Sequence, residues 1–299
     1  MGTPQPETAK PSKPGKGKPA PAPAASGAPN TSVTAGETGF SRGRIIQGER
    51  IGIYGPGGIG KTELVASLQD LGIEPLFIDL DQGSLGLDVA RSTVNGELVH
   101  SFEQVRTVLQ NVDAIAAENF GAVVIDTFSA LEDMTRDWVL ANVPHEKNGK
   151  AINRIEDYGF GKGYQHIFET ALLVLQDLDA ICRRGIHAVV ICHQSADKVP
   201  SAETEDFLEY QPRLQSPPKM GKLRERVFEW CNHFFRVDHD RSVEDGKADK
   251  GDVRTIHTIR TTTAWAKHRT MPNDREFPET IHYPKGGTEL WEIMFGDGE

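Results

Sequence analysis

Long apolar runs, cysteine pairs and metal-ligand spacings are missing from the sequence. No stretch of about 18 apolar residues occurs, so we expect no membrane-spanning helix. The three cysteines, Cys182, Cys192 and Cys231, are odd in number and lie in apolar or mixed runs, which favours reduced core thiols over a disulfide framework. A metal site could combine Cys231 with His233 or Cys192 with His193, but no CxxC or HxxxH pair supports one.

The first thirty residues lack Val, Ile, Leu, Phe, Tyr and Trp and are rich in proline and lysine. Such a segment buries too little apolar surface to offset its ordering entropy, so we predict a disordered Pro/Ala/Lys-rich tail over residues 1–40. The segment also lacks the apolar stretch of a secretory signal, which favours a cytoplasmic protein. Overall, 37% hydrophobic and 25% charged residues are ordinary globular values, and we predict one domain over residues 41–299.

Positive charge is scarce outside the tail. The net charge is −10, and the first thirty residues hold four lysines and one glutamate, or +3, which leaves −13 for residues 31–299. An acidic body argues against passive coating of nucleic acid. Any contact with nucleic acid must therefore come from local basic loops.

Short apolar runs alternate with longer helical stretches from Arg44 onward. The predicted strands are 51–54, 76–81, 122–127 and 187–193, and the predicted helices are 62–71, 102–119 and 164–184. Strand and helix in alternation imply an α/β fold with a parallel sheet covered on both faces. The later segments 227–238 and 254–263 are predicted strands that complete the sheet with antiparallel edges.

The strongest chemical signal fits GxxxxGK[ST] at every fixed position and reads Gly55-Pro56-Gly57-Gly58-Ile59-Gly60-Lys61-Thr62. It follows an apolar strand and opens a helical stretch, which is the context of a phosphate-binding loop. Its backbone N–H groups would face the phosphates, Lys61 would pair with the β- and γ-phosphates, and Thr62 would coordinate Mg²⁺. Glu63 completes the predicted nucleotide-binding residues 55–63. The alternative is a glycine-rich turn with no ligand.

A second carboxylate for Mg²⁺ should end another buried strand, and the run 122–126 ends in Asp126. An acid that closes such an apolar run is costly unless it has a partner. Asp126 is therefore our candidate for holding Mg²⁺ through a water molecule. The alternative is a strand-end aspartate that caps the following turn.

Absent motifs narrow the class of nucleotide-binding protein. No NKxD-like guanine motif occurs, and Thr127 follows Asp126 where AAA+ proteins usually have a glutamate. A water-activating carboxylate must then come from elsewhere, and the run 76–81 ends in Asp81. On these residues the chain resembles the RecA-like ATPases, whose strand after the phosphate-loop helix ends in a catalytic acid, usually glutamate. The resemblance implies that role for Asp81, with Asp79 as the alternative.

Two further features are similar to RecA-like ATPases. The strand that ends near His193 and Gln194 resembles the one that ends in a polar γ-phosphate sensor. The alternative is a structural histidine after an apolar strand. The run 266–269 resembles the KxR element of ring-forming members, which implies that Lys267 and Arg269 reach the γ-phosphate of a neighbouring subunit. An ordinary solvated charge pair would look the same.

Over residues 44–272 the arrangement is similar to the phage RecA-like ATPases of the Sak type, which are associated with single-strand annealing and recombination. The resemblance includes Asp157-Tyr158-Gly159 and the 207–214 stretch, whereas Asn232 stands where such proteins often have an acid. It implies ATP and Mg²⁺ as cofactors and a homo-oligomeric ring or filament. It also implies single-stranded DNA as a partner, contact with a single-strand-binding protein or other replication proteins, and the cytoplasm of a bacterial host.

The segment 195–226 follows the predicted sensor, where RecA-like recombinases carry a DNA-binding loop. Cations can follow phosphates while aromatic rings stack on bases. Such candidates are Lys198, Phe207, Tyr210, Arg213, Lys219, Lys222, Arg224 and Arg226. Acidic residues lie in the same segment, so an ordinary solvated linker is the alternative. A weaker basic group is Lys147, Lys150, Arg154 and Lys162.

The leading hypothesis is an ATPase that acts on single-stranded DNA in phage-type recombination, annealing or replication, with hydrolysis stimulated by DNA. A second hypothesis is a nucleotide-switched interaction protein with weak hydrolysis and no direct role on DNA. Aspartate in place of glutamate at position 81 favours that version modestly. A small-molecule kinase lacks the lid-like arginine cluster it would need.

Overall fold

A computed structural model of the protein describes residues 1–2, 40, 42–43, 45–145, 149, 152–200, 206–244, 247–270 and 276–296. Residues Ile45–Glu299 form one compact unit. Nearly all of the predicted tail lies outside the described residues. Within the described ranges, no helix has both the length and the hydropathy needed to cross a membrane.

Eleven strands and seven α-helices occur in the described part of the chain. The strands are β1 (Arg50–Gly55), β2 (Pro75–Asp79), β3 (Ala90–Arg91), β4 (Thr93–Val94), β5 (Glu97–Leu98), β6 (Ala122–Asp126), β7 (His187–Val199), β8 (Phe207–Pro212), β9 (His233–Glu244), β10 (Lys247–His257) and β11 (Thr280–Tyr283). The helices are α1 (Lys61–Ala66), α2 (Phe102–Gln110), α3 (Val112–Ala117), α4 (Phe128–Asn142), α5 (Lys162–Arg183), α6 (Leu223–Trp230) and α7 (Glu289–Phe295). Two 3₁₀ turns lie at Ser67–Leu71 and Ile155–Tyr158.

The central sheet has the order β11-β10-β9-β1-β7-β6-β2-β3, with β8 paired to the outer part of β7. Strands β9, β1, β7, β6, β2 and β3 pair in parallel, and β10 and β11 join antiparallel at one edge. The predicted mainly parallel sheet with antiparallel C-terminal strands is therefore confirmed. Because parallel strands end at the same edge, Gly55 and Asp126 come close together, with β7 between their strands.

Helices cover both faces of the sheet, because successive strand residues point to opposite sides. One face packs against α2, α4 and α5 through residues such as Val123, Ile125 and Val190. The other packs against α1 and α7 through residues such as Val124 and Val189. The three cysteines are buried and free, as the sequence predicts.

Local sequence explains the helix starts that border the sheet edge. Helix α4 begins after Thr127, whose hydroxyl accepts a hydrogen bond of 3.1 Å from the N–H of Ala130. Helix α1 begins after Gly60, whose φ of 94° is in the left-handed region that favours glycine. Gly55 must also be glycine, because a Cβ there would lie 2.3 Å from the carbonyl oxygen of Val237.

Several predicted elements differ in the structure. The predicted strand 227–238 was wrong over its first residues, which belong to α6: Leu223, Val227 and Trp230 are buried at helical spacing. The predicted strand 254–263 ends at His257, after which the Thr258 hydroxyl donates to backbone carbonyl groups and the chain turns away. The predicted helix 102–119 is broken at Asn111, and helix α4 is not predicted from the sequence.

The sequence analysis expects a single loop over the segment 195–226, and the structure differs from this expectation. Strand β7 continues to Val199 and pairs antiparallel with β8, from Gln194 opposite Pro212 to Val199 opposite Phe207. Helix α6 then begins at Leu223. The sequence does not reveal this hairpin, because its strands carry many charged residues. Backbone pairing outside the main sheet needs no long apolar run. We call residues 194–212 the hairpin; its residues 201–205 are outside the described chain.

Candidate nucleotide site

The glycine-rich segment 55–60 connects β1 to α1 at the carboxyl edge of the sheet. Gly58 and Gly60 have φ of 73° and 94°, which lets the backbone curl before the helix starts. Ile59 is fully buried and anchors the loop in the core. A curled loop before a helix N-terminus presents N–H groups to an anion, so the local geometry suits phosphate binding.

The Lys61 ammonium lies inside this loop. Its Nζ donates hydrogen bonds to the carbonyl oxygens of Gly55, at 3.1 Å, and Pro56, at 2.9 Å. Burial lowers the pKa of Lys61, and the nearby Asp126 carboxylate opposes that shift. The loop therefore holds a buried cation where the phosphate-loop motif requires one.

Thr62 and Asp126 meet directly at the sheet edge. The Thr62 hydroxyl donates to Oδ2 of Asp126 at 2.7 Å. Burial raises the pKa of Asp126 to about 6, although the Thr62 hydrogen bond opposes the shift. A hydroxyl and a buried carboxylate are hard oxygen ligands, and a dication beside them would favour the charged carboxylate. The residues present therefore fit Mg²⁺.

Gly83 faces this pair from the loop after β2. A Cβ at Gly83 would lie 3.5 Å from the Thr62 hydroxyl oxygen and 3.7 Å from Asp126 Oδ2. A larger residue would therefore fill the space in front of the two ligands. Sequence analysis does not identify Gly83, because it is in no motif.

Asp81 lies just beyond the end of β2 and has two partners. Its Oδ2 accepts a 2.7 Å hydrogen bond from the Thr127 hydroxyl and lies 3.0 Å from Nε2 of His193. The His193 hydrogen bond is the main cause of a lowered Asp81 pKa. Both carboxylate and imidazole are about one-third exposed. An ionised and accessible carboxylate is thus fixed beside the His193 ring.

Asp79, the alternative acid, has a different environment. Its carboxylate accepts hydrogen bonds from the N–H groups of Gly83 and Ser84, both at 3.0 Å, and from the Ser84 hydroxyl. The residue is also buried, at 3% exposure. Because its oxygens fix the loop that follows β2, the geometry favours Asp81 over Asp79 as the reactive acid.

One cavity of about 390 Å³ brings these groups together. Its lining comprises Gly57, Gly58, Gly60, Lys61, Thr62, Glu63, Asp81, Gly83, Asp126, Thr127, His193, Arg254 and Lys285. Gly55, Pro56 and Ile59 do not line it, and the first two contact Lys61 instead. Arg254, Lys285 and Thr127 are cavity residues that sequence reasoning missed. No local sequence motif identifies Arg254 and Lys285, since they come from a part of the chain far from the phosphate loop.

Lys267 and Arg269 do not line this cavity. The Lys267 ammonium lies 4.7 Å from the centre of the Phe228 ring and donates to the carbonyl oxygen of Glu229 at 3.3 Å. Burial lowers the pKa of Lys267. Arg269 is exposed. Neither residue reaches the nucleotide site of its own chain.

The hairpin carries three of the predicted DNA-binding residues. Lys198 is exposed and pairs with Asp206 at 2.9 Å. Phe207 and Tyr210 are half-buried on β8, and the Arg236 guanidinium lies 4.2 Å from the centre of the Tyr210 ring. One face of Tyr210 is thus covered by the protein.

The hairpin is tied to the nucleotide site at its base. Arg236 Nε donates to the side-chain oxygen of Gln194 at 3.0 Å, directly after His193 in the chain. The N–H of Arg213 donates to the His193 carbonyl at 2.8 Å, and the N–H of His193 donates to the Ser129 hydroxyl at 3.1 Å. The backbone of His193 is therefore held from both sides.

Of the other predicted DNA-binding cations, Arg213, Lys219 and Lys222 lie between the hairpin and α6, and Arg224 and Arg226 lie in α6. Arg213, Lys219, Lys222 and Arg226 are exposed. Arg224 is largely buried and donates to the Leu214 carbonyl and the Asp197 carboxylate, so its guanidinium is occupied by structural contacts.

The weaker basic group is only partly described. Arg154 is exposed, and Lys162 begins α5, whereas Lys147 and Lys150 lie outside the described residues. Between Arg154 and Lys162, Phe160 is 93% exposed and has a φ of 51°, and it is flanked by Gly159 and Gly161. An exposed aromatic ring therefore lies beside this group, a feature that sequence analysis did not identify.

Comparison with known proteins gives a family. No curated protein matches the chain. Among solved structures, the RadB recombinase matches at 17% identity over 82% of this chain and 91% of that chain, with a TM-score of 0.40. The family model described as an AAA domain matches residues 47–270, a range that contains the phosphate loop, both strand-end acids, the hairpin and Arg254. The chain belongs to the AAA domain family of P-loop proteins.

Proposed function

We propose that this protein hydrolyses ATP and acts on single-stranded DNA in phage-type recombination, annealing or replication. The observation that carries the ATPase proposal is the cavity in which Lys61, the Thr62–Asp126 pair and the Asp81–His193 pair face one another. Family membership supports nucleotide binding with Mg²⁺. Hydrolysis is inferred from the second acid, which is not needed to bind a nucleotide.

Each cavity residue has a role in this proposal. The loop amides and Lys61 bind the β- and γ-phosphates, and Thr62 and Asp126 hold Mg²⁺, which neutralises phosphate charge when bound. Asp81 orients and deprotonates the attacking water. His193, in contact with Asp81, senses the γ-phosphate and relays its presence to the hairpin.

The DNA proposal rests on cations that are exposed and that lie close along the chain to His193 in the nucleotide site. Arg213, Lys219, Lys222 and Arg226 are exposed and follow the hairpin, and the N–H of Arg213 donates to the carbonyl of His193. Such cations can bind phosphates on a body that is otherwise acidic. We propose that nucleotide state and DNA contact are coupled through this hairpin.

Oligomerisation is proposed because Lys267 and Arg269 do not line the nucleotide cavity of their own chain. Arg269 is exposed and free to face a second copy of the chain. In a ring or filament, it would supply positive charge to the neighbour's γ-phosphate as the transition state develops. A single-strand-binding protein or other replication proteins are proposed partners of such an assembly.

The test is the ATP turnover of the purified chain with and without single-stranded DNA. We expect turnover to rise on addition of single strands and to collapse in Lys61→Ala in both conditions. Activity that is unchanged by DNA would contradict the DNA proposal. Activity that survives in Lys61→Ala would contradict the assignment of this cavity.

A second test addresses the shared site. Arg269→Ala should leave nucleotide binding nearly intact and lower turnover, because its guanidinium acts on another subunit's phosphate. Mixing Lys61→Ala with Arg269→Ala should restore part of the activity, since a mixed interface combines one intact loop with one intact arginine. Absence of any restored activity would contradict the proposal.

One observation favours the alternative of a nucleotide switch. Asp81 is shorter than the usual glutamate and is held by both Thr127 and His193. A tightly held acid would activate water slowly, and the protein would then control a partner through its nucleotide state. Slow turnover together with no shift of labelled single strands in a gel would support the switch over the DNA-stimulated ATPase.

A further inference from the structure

Two cations outside the nucleotide motifs lie beside the phosphate loop. Arg254 is on β10 and Lys285 follows β11, so both come from the antiparallel end of the sheet. Both line the cavity that contains Lys61 and Glu63. A Cβ at Gly60 would lie 3.2 Å from the Arg254 guanidinium, so Arg254 is in contact with the loop itself.

Glu63 connects the two cations to the loop. Its Oε1 lies 2.9 Å from the Lys285 ammonium, and its Oε2 lies 4.0 Å from the Arg254 guanidinium. Glu63 is in the first turn of α1, where helix N–H groups face a bound anion. An acid at this position would repel phosphates unless cations offset its charge.

Arg254 is incompletely paired in the described part of the chain. Its side chain is only 11% exposed, and both its Nε and the Glu63 Oε2 are buried without a hydrogen-bond partner there. A buried guanidinium with one contact at 4.0 Å is costly, because it loses water without gaining full hydrogen bonds. Its geometry therefore leaves donors available to an anion in the cavity.

The charge of the cavity supports the same conclusion. Three carboxylates line it, from Glu63, Asp81 and Asp126, against the single motif cation Lys61. A polyphosphate would enter an acidic cavity if these were the only charges. Arg254 and Lys285 bring the cations to three, which balances the carboxylates before Mg²⁺ adds its own charge.

We propose that Arg254 and Lys285 bind the phosphate chain of the nucleotide directly, on the Glu63 side of the loop. This inference rests on the proposed nucleotide function of the cavity. Asp126 contacts the loop at Thr62 instead, and the reactive acid Asp81 lies with His193. Arg254 and Lys285 therefore set the affinity for nucleotide and leave the activation of water to Asp81.

The test is equilibrium binding of a fluorescent ATP analogue and a fluorescent ADP analogue, with Mg²⁺ and without DNA. Arg254→Ala should weaken binding of both by about ten-fold or more, because it removes charge-assisted hydrogen bonds to phosphate. Lys285→Ala should weaken binding by about two- to three-fold, since that side chain is 66% exposed. Turnover at sub-saturating ATP should fall in the same order as binding, more in Arg254→Ala than in Lys285→Ala.

The matched control is Arg184→Ala, which removes an exposed cation that pairs with Asp113 at the end of α5. Its binding should equal that of the wild type. Arg254→Lys keeps the charge but loses the planar fork, so an intermediate loss is expected. Lys285→Ala and Arg254→Lys carry the test if thermal unfolding shows that Arg254→Ala does not fold. Binding by Arg254→Lys and Lys285→Ala within experimental error of the wild type would overturn the proposal.

Glu63→Gln separates direct binding from simple neutralisation of Glu63. If Arg254 binds phosphate, Arg254→Ala should still weaken binding in the Glu63→Gln background. If Arg254 only offsets the Glu63 charge, the arginine substitution should have no effect there, and the proposal would be overturned.

Lys61→Ala distinguishes this proposal from the proposed function. Lys61-dependent binding in the wild type, combined with unaltered binding in the Arg254 and Lys285 variants, would overturn this inference alone. A wild-type protein that binds neither analogue would overturn both.

Discussion

The nucleotide cavity and the hairpin with its following cations differ in how their side chains are held. In the cavity, Asp126 is 2% exposed and Asp81 has two hydrogen-bond partners. Beyond the hairpin, Lys219, Lys222 and Arg226 are exposed. The first region fixes a few groups within hydrogen-bond distance of one another, and the second distributes charge over a surface.

This difference follows from the chemistry proposed for each region. Phosphoryl transfer needs groups at defined positions and a preorganised electrostatic environment. Backbone contacts with nucleic acid are individually weak and tolerate variation in position. We therefore expect large effects from single substitutions in the cavity and small, additive effects beyond the hairpin.

The largest effect is expected from Asp126→Asn. The amide keeps the shape of the carboxylate but removes the charge that is proposed to hold Mg²⁺ beside Thr62. Turnover should fall by on the order of 10²- to 10³-fold in steady-state ATP hydrolysis. An Mg²⁺ titration should require higher concentrations to support nucleotide binding. Near-normal turnover would show that another group holds the metal.

Asp81→Asn should have the next largest effect on turnover. Loss of the proposed general base should lower the rate by about 10²-fold, while nucleotide affinity stays close to that of the wild type. The control is Asp79→Asn, which should instead lower thermal stability, because Asp79 fixes the Gly83–Ser84 loop. A greater catalytic loss in a well-folded Asp79→Asn would reverse the assignment of the two acids.

Asp126 also predicts a pH-dependent cost in the nucleotide-free protein. Burial raises its pKa from 3.8 to about 6, so the folded state binds this proton more tightly than the unfolded state does. The associated stability is present below about pH 4 and is lost as pH rises through about 6. Without Mg²⁺ and nucleotide, Asp126→Asn should thus be more stable than the wild type at pH 8, by up to about 3 kcal/mol.

Denaturant unfolding of the two proteins at pH 8 and at pH 4 would measure this difference. The advantage of the Asn variant should shrink to a small fraction of its pH 8 value at pH 4, where the folded-state carboxyl is protonated and the unfolded-state carboxyl, with a pKa near 3.8, is partly protonated. An advantage that is independent of pH would place its origin elsewhere in the molecule. Mg²⁺ with nucleotide should reduce it at pH 8 by stabilising the charged wild-type carboxylate.

The smallest effects are expected among the exposed cations. Lys219→Ala and Lys222→Ala should each weaken binding of labelled single-stranded DNA by a few-fold and lower the slope of log affinity against log salt by about one. The double variant should show the sum of the two free-energy changes. Arg184→Ala, at the opposite edge of the sheet, is the control. A loss of 100-fold from one lysine would contradict the distributed surface.

Sequence patterns predicted which residues meet at the carboxyl edge of the sheet, because those residues follow strand ends. The phosphate-loop motif and the run 122–126 placed Lys61, Thr62 and Asp126 correctly beside one another. They could not decide between Asp79 and Asp81, since that choice depends on where β2 ends. The structure ends β2 at Asp79 and turns its carboxylate into the following loop.

Long-range contacts account for most of what the sequence could not predict. Arg254 and Lys285 reach the phosphate loop only because β10 and β11 add to the sheet beside β9 and β1. Local sequence predicts a strand in place of α6, because Val227, Phe228 and Trp230 have high strand propensity. In the structure, burial of side chains at helical spacing favours the helix instead. The hairpin is hidden because its strands carry many charges.

The unbroken course of β7 has a mechanical consequence. Residues 187–193 belong to the rigid sheet, and residues 194–199 of the same strand extend from it paired with β8. At about 3.3 Å per residue, Val199 lies roughly 20 Å beyond His193. A tilt of a few degrees at His193 would therefore displace Val199 by about an ångström.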